Sequence, residues 1–190
     1  MTGTRAVIAA VVLTLGLAGC SGEDPEPNLA PSASTSPTSP APTPSPSGPV
    51  APTMPEAAKG TDAAAAEAFV KFYWDTVNYA QKTGDVDGLR DLSSTRCIAC
   101  QAGIDYLDDV FANDGEISGG ASQVGKLKTA FVDDGDALDA VVEFELSTSR
   151  QRVDYPGRAL DEVYRGGTSS MRARLEPTQT AWKMLYWDEA

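Results

Sequence analysis

Apolar residues follow a helical period in the first part of the chain after residue 56. Thr61 or Asp62 can cap a helix that runs to about Lys82, and Gly84 is a typical helix end. The apolar positions of this predicted helix recur at i, i+3 and i+4 spacing and form one stripe: Ala65, Phe69, Phe72, Tyr73, Thr76 and Ala80. Trp74 lies off the stripe.

Two further helices are predicted before the pattern changes. Asp85 to Leu92 is short, with Leu89 and Leu92 directed inward. A third helix begins after Ser94 and Thr95, and it ends near residues 113–115, Asn-Asp-Gly. Its apolar stripe consists of Cys97, Cys100, Ile104, Leu107 and Phe111.

Beyond Gly120 the period becomes two, which is typical of half-buried strands. Strands are predicted at 124–133, 138–146, 171–175 and 180–188, and the last has apolar residues toward both faces. Helices followed by antiparallel strands indicate an α+β fold. We therefore expect residues 56–190 to place three N-terminal helices on a curved antiparallel sheet of about four strands, covered on one side.

The first 19 residues have the features of an export signal. A single charge, Arg5, precedes an apolar run of about 12 residues, which is too short to span a bilayer but suits a signal-peptide core. The run ends in Leu17-Ala18-Gly19-Cys20, which resembles the lipobox of bacterial lipoproteins. This resemblance implies cleavage after Gly19, a diacylglycerol on the Cys20 thiol and attachment to the outside of the cell membrane.

Residues 20–55 are expected to form an unfolded tether. Eleven of the 13 prolines lie between Pro25 and Pro55, interleaved with Ser, Thr and Ala. Such a segment buries too little apolar surface to offset the entropy of ordering. Three regions follow: a signal peptide at 1–19, a lipidated tether at 20–55 and a globular domain at 56–190.

Charge and composition exclude several classes of function. The chain has 27 acidic and 15 basic residues, a net charge of −12, which argues against a nucleic-acid partner. It contains no histidine, so Ser-His-Asp and Cys-His catalysis and histidine zinc sites are excluded. No cofactor, metal site or catalytic residue is predicted.

Cys97 and Cys100 form the most specific short motif of the domain. With Cys20 assigned to lipid, they are the two remaining cysteines in an oxidising compartment, which favours a bridge between them. Residues three apart on a helix have Cα atoms about 5 to 5.5 Å apart, which a disulfide can span. Redox-active thiols, free thiols and a zinc site shared with another chain are the alternatives.

Two charged clusters admit more than one interpretation. Four aspartates surround a glycine, but their spacing differs from the EF-hand pattern and favours a solvated hairpin turn over a calcium site: Asp133, Asp134, Asp136 and Asp139. Asp105 and Asp109 are an exposed like-charge pair. Six arginines between residues 149 and 175 would either pair with carboxylates across strands, which we favour, or form a basic strip for anionic lipids or wall polymers: Arg150, Arg152, Arg158, Arg165, Arg172 and Arg174.

Several short segments resemble an uncharacterised family of lipoproteins from high-GC Gram-positive bacteria. They are Met54 to Ala58, the aromatic helix Phe69 to Tyr79, Thr83-Gly84-Asp85, and Leu92-Ser93-Ser94 leading into Cys97-Ile98-Ala99-Cys100. This family implies no activity and no catalytic residues. The strand after the acidic turn and the closing Ala181-Trp182-Lys183 strand resemble the nuclear-transport-factor-2-like, or cystatin-like, cone, which implies a curved sheet around a pocket.

These observations predict a non-catalytic binding or accessory module of the cell envelope, anchored through Cys20 to the membrane and facing an envelope or cell-wall partner. One alternative is an envelope thiol-disulfide oxidoreductase that uses Cys97 and Cys100. The other is a small hydrolase or isomerase with an Asp base in a pocket. Tyr73, Trp74, Tyr79 or Trp182 would wall such a pocket, although aromatic residues at these spacings are more often core.

Overall fold

A computed structural model describes residues 48–133, 135, 137–157 and 161–190. The predicted signal peptide, Cys20 and most of the tether lie outside these residues, as do Asp134, Asp136 and Arg158. Among the helices described, none is both long and apolar enough to cross a membrane.

The helices lie where the sequence pattern predicts them. A short 3-10 helix, Glu56–Ala58, precedes α1 (Ala63–Thr83), α2 (Asp87–Leu92) and α3 (Ile98–Ala112). The side chain of Asp62 accepts a hydrogen bond from the backbone N–H of Ala65 at 2.8 Å, which caps the start of α1. Gly84 ends this helix in the left-handed conformation, with φ 74°. Both predicted ends of α1 are therefore confirmed.

Seven strands follow in the described chain, arranged in two antiparallel sheets. They are β1 (Glu116–Gly119), β2 (Ser122–Asp133), β3 (Leu138–Thr148), β4 (Gln151–Asp154), β5 (Glu162–Tyr164), β6 (Gly167–Pro177) and β7 (Trp182–Glu189). The larger sheet has the order β2-β3-β6-β7, and the smaller has the order β1-β4-β5.

The predicted fold class is wrong. We expected three helices on a single sheet of about four strands in a nuclear-transport-factor-2-like or cystatin-like cone, but the described chain is mostly β and forms two sheets. The prediction missed β1, β4 and β5, which have only four, four and three residues. Strands this short carry too few alternating positions to show a period of two.

The chain passes from one sheet to the other at three places: from β1 to β2, from β3 to β4 and from β5 to β6. We call this junction, at residues 119–122, 148–151 and 164–167, the bend. The order β1-β4-β5 in the smaller sheet therefore repeats the order β2-β3-β6 in the larger one. Gly119 at the end of β1 and Gly166 before β6 lie against the segment that connects β3 to β4. A Cβ added at Gly119, where φ is 72°, would lie 2.0 Å from the carbonyl oxygen of Arg150, and one at Gly166 would lie 2.5 Å from that of Thr148. The backbone can therefore approach this closely only where a side chain is absent.

The hydrophobic core lies between the helices and one face of the larger sheet. All six predicted stripe positions of α1 are buried, and Trp74 is buried with them. They pack against inward residues of β3 and β6, among them Val142, Phe144 and Leu175. A smaller cluster, Val110, Val153 and Tyr155, joins α3 to the second sheet. The helices, the sheet and the bend together enclose the cavity described next.

Candidate functional site

A cavity of about 180 Å³ lies between α1 and α3, with one wall formed near the bend by β4 and the end of β7. Helix α1 contributes Tyr73, Trp74, Val77 and Gln81, and α3 contributes the residues from Ala99 to Leu107 that face them. Leu89, Gln151 and Trp187 complete the lining. We call this space the aromatic cavity, because four aromatic residues line it: Tyr73, Trp74, Tyr106 and Trp187.

The aromatic rings around the cavity pack edge to face. The rings of Trp74 and Trp187 have centroids 5.5 Å apart with planes at 66°, and Tyr73 and Trp74 meet at 6.1 Å and 85°. Phe144 supports the other side of Trp74 at 6.4 Å. Such arrangements are favoured by the ring quadrupoles and hold each ring in one orientation. The wall of the cavity is therefore formed before any ligand binds.

Three cavity residues carry a buried polar atom: Nε1 of Trp74, Nε1 of Trp187 and Oη of Tyr106. Of these, Trp187 lies against the Tyr73 hydroxyl and Tyr106 lies against the Tyr164 hydroxyl. The indole N–H of Trp74 has no hydrogen-bond partner among the described residues. Trp74 is only 7% exposed, so water does not reach its indole N–H freely. A buried donor without an acceptor costs about 1–3 kcal/mol. A ligand that brought acceptors into the cavity would recover this free energy.

The pKa values of two cavity tyrosines are raised. Burial raises the pKa of Tyr73 above its usual value of 10.0, although its contacts with Ser93 Oγ, at 3.3 Å, and with the indole of Trp187 partly oppose this shift. Burial also raises the pKa of Tyr106, and the neighbouring Tyr164 phenol adds to the effect. Both phenols are therefore neutral at physiological pH.

We expect the protein to lose stability in alkali because of Tyr73. A raised pKa means that the folded state holds the proton more tightly than the unfolded state, so this contribution is complete below about pH 10 and is lost as the pH rises further. Urea unfolding between pH 8 and 11.5 should show a falling free energy of unfolding above pH 10, with a smaller slope in Tyr73→Phe. Equal slopes in the two proteins would contradict the assignment.

Cys97 and Cys100 form a disulfide at the start of α3, with Cα atoms 5.2 Å apart. Both residues are buried, at 1% and 2% exposure, and Cys100 lines the aromatic cavity. The bond joins the residue before the helix to its first turn, where Cys97 Sγ also accepts the backbone N–H of Cys100 at 3.2 Å. Its position suits a structural role, because a redox-active pair must be reached by another thiolate.

Replacing both cysteines with serine should cost about 2 kcal/mol of unfolding free energy, because the closed loop is short. The native protein should also resist alkylation after mild reductant treatment. Denaturant titration and mass spectrometry with iodoacetamide would measure the two effects. Insulin reduction by the native protein that disappears in Cys100→Ser would contradict the structural role.

The predicted acidic sites do not form a metal centre in the described part of the chain, where no group of three or more potential ligands converges. Asp133 accepts the backbone N–H of Gly135 at 2.9 Å, as expected of a hairpin turn. Asp139 is instead buried and paired with Arg174, with Oδ2 and Nε 2.7 Å apart. Asp105 and Asp109 are exposed on α3, as predicted.

Three of the predicted arginines pair with carboxylates, which is the interpretation we favoured. Arg152 pairs with Asp154 and Asp161, Arg172 lies 3.9 Å from Asp188, and Arg174 pairs with Asp139. Arg150 and Arg165 lie together beside a shallow depression at the surface of the bend.

The sequence identified only part of the cavity. Tyr73 and Trp74 line it as predicted, whereas Tyr79 borders a separate groove and Trp182 packs on Phe131 at 6.4 Å. The sequence analysis did not predict four other polar or aromatic residues of the lining: Gln81, Tyr106, Gln151 and Trp187. The only signal for Trp187 was the apolar character of both faces of the last strand.

Residues 38–186 match a family of unknown function, DUF6318. The match covers most of the chain. The chain belongs to DUF6318. No curated protein matches it by sequence. Membership of DUF6318 supports the expectation of an uncharacterised family and supplies no activity.

One solved structure similar to this DUF6318 chain is the intermembrane space region of chloroplast protein ARC6. The two share 16% sequence identity with a TM-score of 0.50, over 68% of this chain and 97% of that one. At this identity the similarity concerns the fold alone. This structural similarity does not confirm the predicted resemblance to the nuclear-transport-factor-2-like fold.

Proposed function

We propose that the protein is a lipoprotein held outside the cytoplasm by acylation of Cys20, and that its domain is a non-catalytic binding module whose ligand site is the aromatic cavity. The observation that carries the proposal of binding is a preformed apolar cavity with a buried donor, the indole N–H of Trp74, that lacks an acceptor. Such cavities, with few polar groups on an apolar wall, are typical of small-molecule sites.

The chemistry of the lining favours binding over catalysis. None of the residues that line the cavity in the described chain is charged. An Asp base would need to stand within hydrogen-bonding reach of a bound substrate, and the cavity offers none there. Tyrosine is protonated at neutral pH, and the raised pKa of Tyr73 and of Tyr106 makes the basic tyrosinate form still rarer, so neither phenol is suited to act as a base.

The proposed anchor rests on the Leu17-Ala18-Gly19-Cys20 resemblance and on the proline-rich segment that follows it. A lipid on Cys20 would keep the domain near the membrane, which suits the capture of a ligand or partner there. The Cys97–Cys100 disulfide fits an oxidising compartment outside the cytoplasm.

Labelling of growing cells with an alkyne fatty acid tests the anchor. We expect the full chain to carry the label, to fractionate with membranes and to be degraded by protease added to spheroplasts. Cys20→Ser should abolish labelling and release the protein from membranes, while Cys97→Ser, which leaves Cys20 in place, should not. Native protein in the cytosol with a free Cys20 thiol would overturn the proposal.

A further inference from the structure

We propose that the aromatic cavity binds an uncharged, ring-sized apolar group that carries a hydrogen-bond acceptor such as a carbonyl or ether oxygen. This inference rests on the proposed binding function and specifies its ligand class. It follows from three properties of the cavity: its size, the absence of charge among the described residues that line it, and the buried indole N–H of Trp74 that lacks an acceptor.

The size of the cavity limits the ligand to a small group. An apolar cavity of about 150 Å³ in a protein core can hold benzene. The aromatic cavity, at about 180 Å³, therefore accommodates one substituted ring or a short branched chain. A longer molecule would fit only if the remainder extended into solvent between α1 and α3. Gly103 lines the cavity, is exposed, and has no atom within 4 Å of an added Cβ, so this side is open.

The lining disfavours ions of either sign. Moving an unpaired ion into a low-dielectric site costs several kcal/mol, and no lining side chain in the described chain offers an opposite charge. An ammonium group could contact the ring faces, but the cavity also contains the indole N–H of Trp74 without an acceptor, and its partial positive charge repels a cation. A neutral group meets neither penalty.

The unpartnered indole N–H of Trp74 selects for an oxygen acceptor, because it can only donate a hydrogen bond. A purely hydrocarbon ligand would leave this donor unsatisfied in a cavity from which the ligand had displaced water. A ligand with an acceptor oxygen would satisfy it. Gln81 and Gln151 supply further amide groups to the lining.

The three tryptophans of the chain allow a direct test. The full chain with Cys20→Ser, labelled with ¹⁵N at tryptophan, gives one indole N–H signal for each. Acetophenone, a ring with one carbonyl, should shift the signals of Trp74 and Trp187 in a saturable way. The signal of Trp182, whose indole N–H is also buried without a partner but lies outside the cavity, should not move. Benzoate and benzyltrimethylammonium should shift none of the three at the same concentration.

Isopropylbenzene, which has the same number of non-hydrogen atoms but no oxygen, separates hydrogen bonding from hydrophobic affinity. The ratio of acetophenone affinity to isopropylbenzene affinity should fall about fivefold in Trp74→Phe, since one net hydrogen bond is lost while the solvation of each probe is unchanged. Trp182→Phe should leave the ratio as it is in the parent chain. If Trp74→Phe does not fold, the parent chain provides the comparison, because acetophenone should move the Trp74 indole proton downfield as it accepts the hydrogen bond and isopropylbenzene should not.

An unchanged ratio in Trp74→Phe, or equal displacement of the Trp74 indole proton by the two neutral probes, would overturn the role of the acceptor, as would binding of benzoate or the ammonium probe. Failure of every neutral probe to shift Trp74 and Trp187 would overturn the ligand class. These results are independent of the fatty-acid labelling of Cys20. A protein that fails to bind the probes and is still acylated would therefore retain its anchor and lose only this assignment.

Discussion

Arg174→Met should reduce the free energy of unfolding by about 3 kcal/mol, because it leaves a buried carboxylate without its counter-charge. The side chain of Asp139 is only 3% exposed, and its Oδ2 accepts the Nε–H of Arg174 at 2.7 Å across β3 and β6. Methionine fills much of the volume of the arginine stem, so most of the loss would come from the unpaired charge. Urea denaturation at pH 7 measures it.

Arg172→Met is the matched control for this prediction. Arg172 lies two residues earlier on the same face of β6, but its contact with Asp188 is 3.9 Å long and both side chains are well exposed. We expect a loss of less than about 1 kcal/mol there. Adding Asp139→Asn to Arg174→Met should restore at least half of the lost stability. Equal losses for the two arginine variants, or no recovery in the double variant, would contradict a buried ion pair.

The sequence predicted the helical part of the fold well because the signals there are local. A cap at Asp62, a stop at Gly84 and an apolar stripe between them define α1 within a single segment. The strands of the smaller sheet have no comparable local pattern in the sequence. Only Val153 among the residues of β4 is buried, and β1 and β5 have no fully buried residue. Their pairing depends on the longer strands that position them.

The cavity was predicted only in part for a related reason. Tyr73 and Trp74 are neighbours in sequence, but Trp187 reaches them through the pairing of β6 with β7, in which Ala173 faces Trp187. That register shifts between Arg174 and Leu175, where β7 has an extra residue. A bulge changes which face each later residue occupies, and no periodicity reveals it in advance. The bulge explains why the last strand has apolar residues on both faces.

Gly119→Ala should be among the most destabilising single substitutions in the domain, with a loss of about 3 kcal/mol or more. Two costs combine at this position. The left-handed backbone, with φ 72°, disfavours any residue with a Cβ by roughly 1–2 kcal/mol. The new Cβ would also lie 2.0 Å from the carbonyl oxygen of Arg150, which belongs to the backbone and cannot rotate away.

Relief of that clash would separate β1 from β4 at the point where Gly120 N–H donates to Arg150 O at 3.1 Å. Gly167→Ala, at the start of β6 on the same bend, is the matched control, because an added Cβ there has no neighbour within 4 Å. It should be neutral or slightly stabilising, since alanine loses less backbone entropy on folding. Thermal and urea unfolding of the two variants would measure the difference. Equal stabilities of the two variants would mean that the bend tolerates a side chain at Gly119.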